Sequence, residues 1–80
     1  MLDVFIINPQ EILFEGKARS VILPGEYGVF EILPYHKEFM SRLLTGAITV
    51  DDKSYFIKRG IAKVDRNKVT IVIENLKEEA

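Results

Sequence analysis

The strongest constraint on this chain is its rhythm. Short runs of β-branched and aromatic residues recur along it, each closed by a turn signal, and no sustained helical period appears. Val4, Phe5, Ile6 and Ile7 predict a first strand over residues 2–7, stopped at Asn8-Pro9 because proline cannot donate to a ladder. Residues 12–14 are apolar, and Glu15-Gly16-Lys17 reads as the turn of a hairpin returning through Ala18-Arg19-Ser20-Val21-Ile22-Leu23. Residues 29–33 read as a short strand whose one charge, Glu31, points to solvent. Ala47-Ile48-Thr49-Val50 and Ser54-Tyr55-Phe56-Ile57 form a hairpin around Asp51-Asp52-Lys53. After Gly60 a second hairpin joins residues 61–64 to 69–73 through Asp65-Arg66-Asn67-Lys68, where Asn67 suits left-handed backbone. Phe39, Met40, Leu43 and Leu44 fit either a helix face or a strand entering a turn at Thr45-Gly46. From Glu74 the residues favour a helix barely begun, so a domain is expected over 1–74 with a tail at 75–80.

Such a pattern implies an all-β sandwich or small barrel, with Val4, Ile6, Ile22, Phe56, Val64 and Ile71 as core contributors. Eighty residues make one domain with a thin core or an external partner. No cysteine is present, so stability rests on packing. Eleven basic and twelve acidic residues are scattered evenly, which leaves no electrostatic footprint for nucleic acid or anionic lipid. Apolar runs are far shorter than a membrane span, and Met1-Leu2-Asp3 shows no secretory signal, so neither membrane insertion nor export is expected.

One stretch is more particular than the rest. In residues 23–45, Pro24, Gly25 and Gly28 imply a sharply bent loop that exposes Glu26 and Tyr27. Tyr27, Phe30, Tyr35 and Phe39 gather around Pro24 and Pro34; core packing explains an ordinary aromatic, whereas Tyr27 at a loop tip reads as an interface anchor. His36 is the only histidine, so no zinc pair exists, and a lone histidine after a proline bend reads as a loop or interface residue. None of Ser20, Ser41 or Ser54 lies in a nucleophile elbow. Gly25 and Gly28 lack the Gly-Lys-Ser/Thr of a phosphate loop. Asp51-Asp52, Lys58-Arg59 and residues 77–79 read as solvated turn and surface. Neither an enzyme, a metal site nor a cofactor is expected.

These residues resemble a known family, the N-terminal β-sandwich domain of the epsilon subunit of the F-type ATP synthase, called delta in mitochondria. Ile7-Asn8-Pro9-Gln10-Glu11-Ile12-Leu13-Phe14-Glu15-Gly16 is similar to the family's opening phrase. Pro24, Gly25, Gly28, Ile32, Leu33, Pro34 and His36 stand in register with P-G-x-x-G-x-x-G-I-L-P-x-H-x-P-L-L. Gly46, Gly60 and Asn67-Lys68-Val69-Thr70-Ile71 match later family positions. The chain departs at Glu31 for the third glycine, Tyr35 for a usual glycine, Lys37-Glu38 for Ala-Pro and Phe39-Met40 for Leu-Leu.

The resemblance implies a sandwich of two packed sheets with about ten short strands, and a strand where Phe39 to Leu44 lies. It implies a non-catalytic subunit of the rotor stalk, monomeric when isolated, in a peripheral complex on the cytoplasmic face of the bacterial inner membrane. There it joins the gamma subunit to the c ring and couples proton flow to ATP synthesis. By resemblance, Gly25, Glu26, Tyr27, Gly28, Val29 and Phe30 face the c ring. Asn8, His36, Lys37, Glu38, Phe39, Met40 and Ser41 lie toward gamma. Relatives carry a C-terminal helical hairpin that regulates hydrolysis; this sequence is expected to lack it, as a naturally short form or a trimmed domain, and so to bind no ATP. The alternative reading is a small β-barrel module for nucleic acid or another polyanion, which needs Tyr55, Phe56, Lys58 and Arg59 interleaved on one sheet face.

Overall fold

The computed structural model describes residues 1–35 and 37–74. Nine strands follow one another: β1 (Leu2–Ile7), β2 (Ile12–Ala18), β3 (Val21–Gly25), β4 (Gly28–Ile32), β5 (Phe39–Leu43), β6 (Gly46–Val50), β7 (Lys53–Ile57), β8 (Gly60–Asp65) and β9 (Lys68–Ile73). They form one curled, hydrogen-bonded sheet in the order β2-β1-β9-β8-β5-β3-β6-β7, with β4 paired to β3. The curl creates two layers. β2-β1-β9-β8-β5 makes one and β4-β3-β6-β7 the other, joined at a corner where Gly25 pairs with Leu43 and the Leu44 N–H donates to the Pro24 carbonyl at 2.8 Å. β1 and β9 run parallel; every other pair is antiparallel.

Burial alternates along most strands, as a half-buried pleated surface requires. Leu2, Val4, Ile6, Val64, Val69 and Ile71 of one layer meet Val21, Leu23, Ile32, Ile48, Val50 and Ile57 of the other in a single cluster. Each large side chain in it contributes roughly 1.5–3 kcal/mol by leaving water. Among the described residues no polar or charged side chain is buried. Hairpin geometry follows the residues. Arg66 and Asn67 both have positive φ, 53° and 65°, the pattern of a tight two-residue hairpin turn, so Asn67 takes the left-handed position expected of it. Asp51 (φ 54°) does more than shape its own turn: its Oδ1 accepts from the Arg19 and Ser20 N–H groups at 3.0 and 3.1 Å, clamping β6–β7 to the bend after β2. Gly60 is required by closeness, since a Cβ there would stand 2.5 Å from the Val72 carbonyl oxygen.

Several expectations need correction. Glu15-Gly16-Lys17 is no turn; β2 runs straight through it and pairs with β1, and the chain bends at Arg19-Ser20 instead. Ile22 is only half-buried and Phe56 is 53% exposed, because Leu23 and Ile57 hold the inward phase of their strands. Phe39 begins a strand, which removes the helical option, and nine strands stand where about ten were expected. The expected tail, residues 75–80, lies outside the described residues. No helix among the described residues is long and apolar enough to cross a membrane.

Candidate functional site

β4 and β5 flank one open side of the sandwich without pairing along it. Between them lies a cleft of about 600 Å³, and its lining unites residues from distant parts of the sequence: 25–30, 39–42 and Ile61. The tip is a two-residue hairpin turn, Gly25 pairing with Gly28 so that Glu26 and Tyr27 project. Tyr27 is fully exposed, Val29 73% and Met40 64%. Gly28, with φ 121°, supplies the backbone conformation that L side chains avoid. Gly25 supplies room: a Cβ there would fall 2.5 Å from the Phe30 ring. That ring meets Phe39 edge-to-face, centroids 5.5 Å apart at 65°, and the pair closes the floor of the cleft. Across its mouth Arg42 Nε reaches Glu26 Oε2 at 3.6 Å, tying the hairpin tip to the outer face of β5.

All six residues expected at the c ring therefore share one surface with Phe39, Met40 and Ser41 of the set expected at gamma. Of the remaining described members of that second set, none lines the cleft. Asn8 closes its own turn, its Oδ1 accepting from the Gln10 and Glu11 N–H groups at 2.8 Å each. Glu38 lies against Asp65, whose carboxyl and charge raise the Glu38 pKa above its ordinary 4.5. Lys37 is exposed on the approach to β5. His36 falls outside the described residues. Tyr35 occupies left-handed backbone (φ 70°), a conformation that glycine adopts without cost, and its N–H donates to Asn67 Oδ1 at 2.6 Å.

Sequence reasoning missed Arg42 and Ile61. The alternation Ile61, Lys63, Asp65 outward against Ala62, Val64 inward carries the signal for Ile61 once the strand's phase is set. The polyanion reading loses its surface: Tyr55 packs against the core while Phe56 points away, so the two rings do not share a face. No set of three or more histidine, cysteine or carboxylate side chains among the described residues is arranged to hold a metal.

An apolar cleft with exposed aromatic and aliphatic walls, an aromatic floor and one ion pair is suited to receiving another protein's surface. The fold defines a small all-β domain of two packed layers with one apolar cleft at its open side. The family model for the ATP synthase delta/epsilon chain β-sandwich domain matches residues 1–79, and the chain belongs to that family. It is similar to the ATP synthase epsilon chain of Maricaulis maris, 41% identical over 73 residues that cover 86% of this chain and 55% of the relative. The epsilon chain of Campylobacter curvus is 37% identical over 78 residues, 91% of this chain and 60% of the relative. The chain thus spans little more than half the length of these relatives. In fold it is similar to a chain in a structure of the Euglena gracilis mitochondrial ATP synthase OSCP/F1/c-ring (TM-score 0.84, 17% identity, covering 92% of this chain and 51% of that one). A chain of the Tetrahymena thermophila mitochondrial ATP synthase central stalk and c-ring is similar in the same way (TM-score 0.82, 13% identity, 96% and 66%).

Proposed function

We propose that this chain is a non-catalytic subunit of the rotor stalk of an F-type ATP synthase, tying the gamma subunit to the c ring and so coupling proton translocation to ATP synthesis. Its place is then the cytoplasmic face of the bacterial inner membrane, within a peripheral complex. The observation that carries the reading is the cleft between β4 and β5, where the projecting hairpin tip and the first residues of β5 form one apolar surface. Family membership supports reading two partners onto that surface. Residues 25–30 reach down to the c ring, and residues 36–41 with Asn8 lie toward gamma. A coupling piece must pass torque without yielding, and a close-packed sandwich with two-residue turns at Glu26-Tyr27, Asp51-Asp52 and Arg66-Asn67 deforms little. Mixed with gamma from the same organism, the full chain is expected to co-elute as a stable one-to-one complex; separate elution at micromolar concentration overturns the proposal.

A further inference from the structure

Among the described residues, four that are not glycine have positive φ: Tyr35, Asp51, Arg66 and Asn67. Three of them belong to two-residue hairpin turns, where that backbone is the rule, and two of those three are the Asp and Asn that tolerate it. Tyr35 is the exception, a bulky aromatic in the connection from β4 to β5. Strain of this kind persists only where the surroundings impose it. Packing of the ring is not what imposes it, since Tyr35 is 88% exposed and Leu33, two residues earlier, 50%. The restraint is polar instead: the Tyr35 N–H donates to Asn67 Oδ1 at 2.6 Å, across 32 residues of sequence. Asn67 is itself anchored, because it sits in the β8–β9 turn and its carbonyl accepts from the Asp3 N–H at 2.7 Å. Pro34 stiffens the other flank by fixing its own φ and favouring an extended Leu33. A large ring is thus held out into solvent on a backbone with little freedom left to lose.

Glycine would make this corner at no conformational cost, so what tyrosine adds is the ring. Aromatic side chains on rigid supports anchor protein interfaces, since they bury much area through few rotors and little ordering remains to be done on docking. We infer that Asn67 is a positioning residue that latches the β4–β5 connection, holding Tyr35 as a pre-set anchor for gamma. The inference rests on the reading above that gamma is a partner. The fold favours gamma over the c ring at this point: the tip read as facing the c ring precedes β4 and Tyr35 follows it, so the five residues of that strand keep them at opposite ends. The connection also runs directly into Phe39, Met40 and Ser41, which that reading places toward gamma.

Asn67→Gly tests the latch in the full chain. It keeps a left-handed turn while removing the acceptor oxygen, so it should melt close to the parent. The parent should show the intense amide–Hα cross-peak within Tyr35 that positive φ produces, and Asn67→Gly should lose it. By calorimetry, affinity for gamma should fall about fivefold in Asn67→Gly and more than about tenfold in Tyr35→Gly. The double variant should lose no more than Tyr35→Gly alone, because the latch then has no ring to position. Asn67→Asp keeps an acceptor oxygen and should bind within about a factor of two of the parent. A parent that binds gamma, with Tyr35→Gly or Asn67→Gly binding equally well, overturns the inference alone. Losses that multiply in the double variant also overturn it, since ring and amide then act separately. A parent that does not bind gamma overturns the proposed function and this inference with it. Weakened binding of Tyr35→Gly to purified c ring, with gamma binding unchanged, assigns the ring to the c ring and rejects gamma.

Discussion

The two open sides of the sandwich are built alike and finished differently. At each, an aromatic pair stoppers the gap between layers: Phe30 with Phe39 between β4 and β5, and Phe14 with Tyr55 between β2 and β7, where centroids lie 6.2 Å apart at 63°. At each, a glycine lies close to the phenylalanine, Gly25 by Phe30 and Gly16 by Phe14. The rims diverge. The Phe14 ring carries the Lys53 ammonium 5.9 Å from its centroid, whereas the Phe30–Phe39 side is edged by the bare Tyr27, Val29 and Met40. Aromatic stoppers thus answer a packing need common to both gaps. What sets one gap apart, and suits it to the docking role proposed above, is the apolar rim around it.

The two ring pairs separate packing from binding most directly. Removing a buried phenylalanine side chain costs roughly 3–5 kcal/mol, and these are half-buried, so Phe39→Ala and Phe14→Ala should each destabilise the domain by about 2 kcal/mol in urea unfolding. Binding should separate them. Phe39→Ala removes the floor of the cleft and should weaken gamma binding more than tenfold, while Phe14→Ala should leave it within a factor of about two. Equal loss of binding in the two variants would mean that the gaps differ in appearance only.

The glycines sharpen the same contrast with a smaller effect. At Gly25 an added Cβ would stand 2.5 and 2.7 Å from Phe30 ring atoms, so Gly25→Ala must push the ring aside, at about 1–3 kcal/mol. At Gly16 the nearest ring atom of Phe14 is 3.3 Å away, which a slight tilt relieves. Gly16→Ala is therefore expected to cost under about 1 kcal/mol, and the two melting temperatures should part accordingly.

Neither gap could be read from the sequence, although most strands could. Tight hairpins such as β6–β7 and β8–β9 declare themselves because a local turn fixes their pairing. β2 does not: Glu15-Gly16-Lys17 has the composition of a turn, while the real turn lies earlier, at residues 8–11, so that β2 runs back along β1 through Gly16 under the covering Phe14 ring. Phase was lost wherever apolar residues were consecutive. Tyr55-Phe56-Ile57 offers no alternation to say which side is inward, and the pairing of Ile57 with Gly46 decides it. The hairpin tip at Glu26-Tyr27 was legible from Gly25 and Gly28. Its neighbours across the cleft were not, since Arg42 and Ile61 reach it only through the corner that joins the layers.

A weaker device holds the open rim in shape. Arg42→Ala cuts the tie to Glu26, and because both side chains are largely exposed the loss of stability should stay below about 1 kcal/mol. Its effect should show in dynamics: backbone amide relaxation at Tyr27 and Gly28 should report a looser tip. High salt should do the same to the parent chain by screening the pair. A tip as rigid in Arg42→Ala as in the parent would assign its order to the turn alone.

The smallest effect is electrostatic, and the two sides of the five-stranded layer should answer pH in opposite senses. On the β1–β2 side Lys17 Nζ lies 2.7 Å from Asp3 Oδ1, and its hydrogen bond and charge hold the Asp3 pKa below the ordinary 3.8. A depressed carboxylate stabilises the fold above its ordinary value, and that contribution is lost as pH falls through the lowered pKa. At the start of β5, Glu38 is raised above 4.5 by the hydrogen bond and charge of Asp65, with Lys63 opposing. Its contribution is complete below 4.5 and is lost as pH rises through the raised pKa. Carboxyl-carbon NMR titrations should accordingly find Asp3 below and Glu38 above their ordinary values, with Lys17→Met returning the first and Asp65→Asn the second. If Asp65→Asn leaves the Glu38 midpoint unmoved, the two carboxyls do not share a proton, and the approach to β5 is held by its backbone pairing with β8 instead.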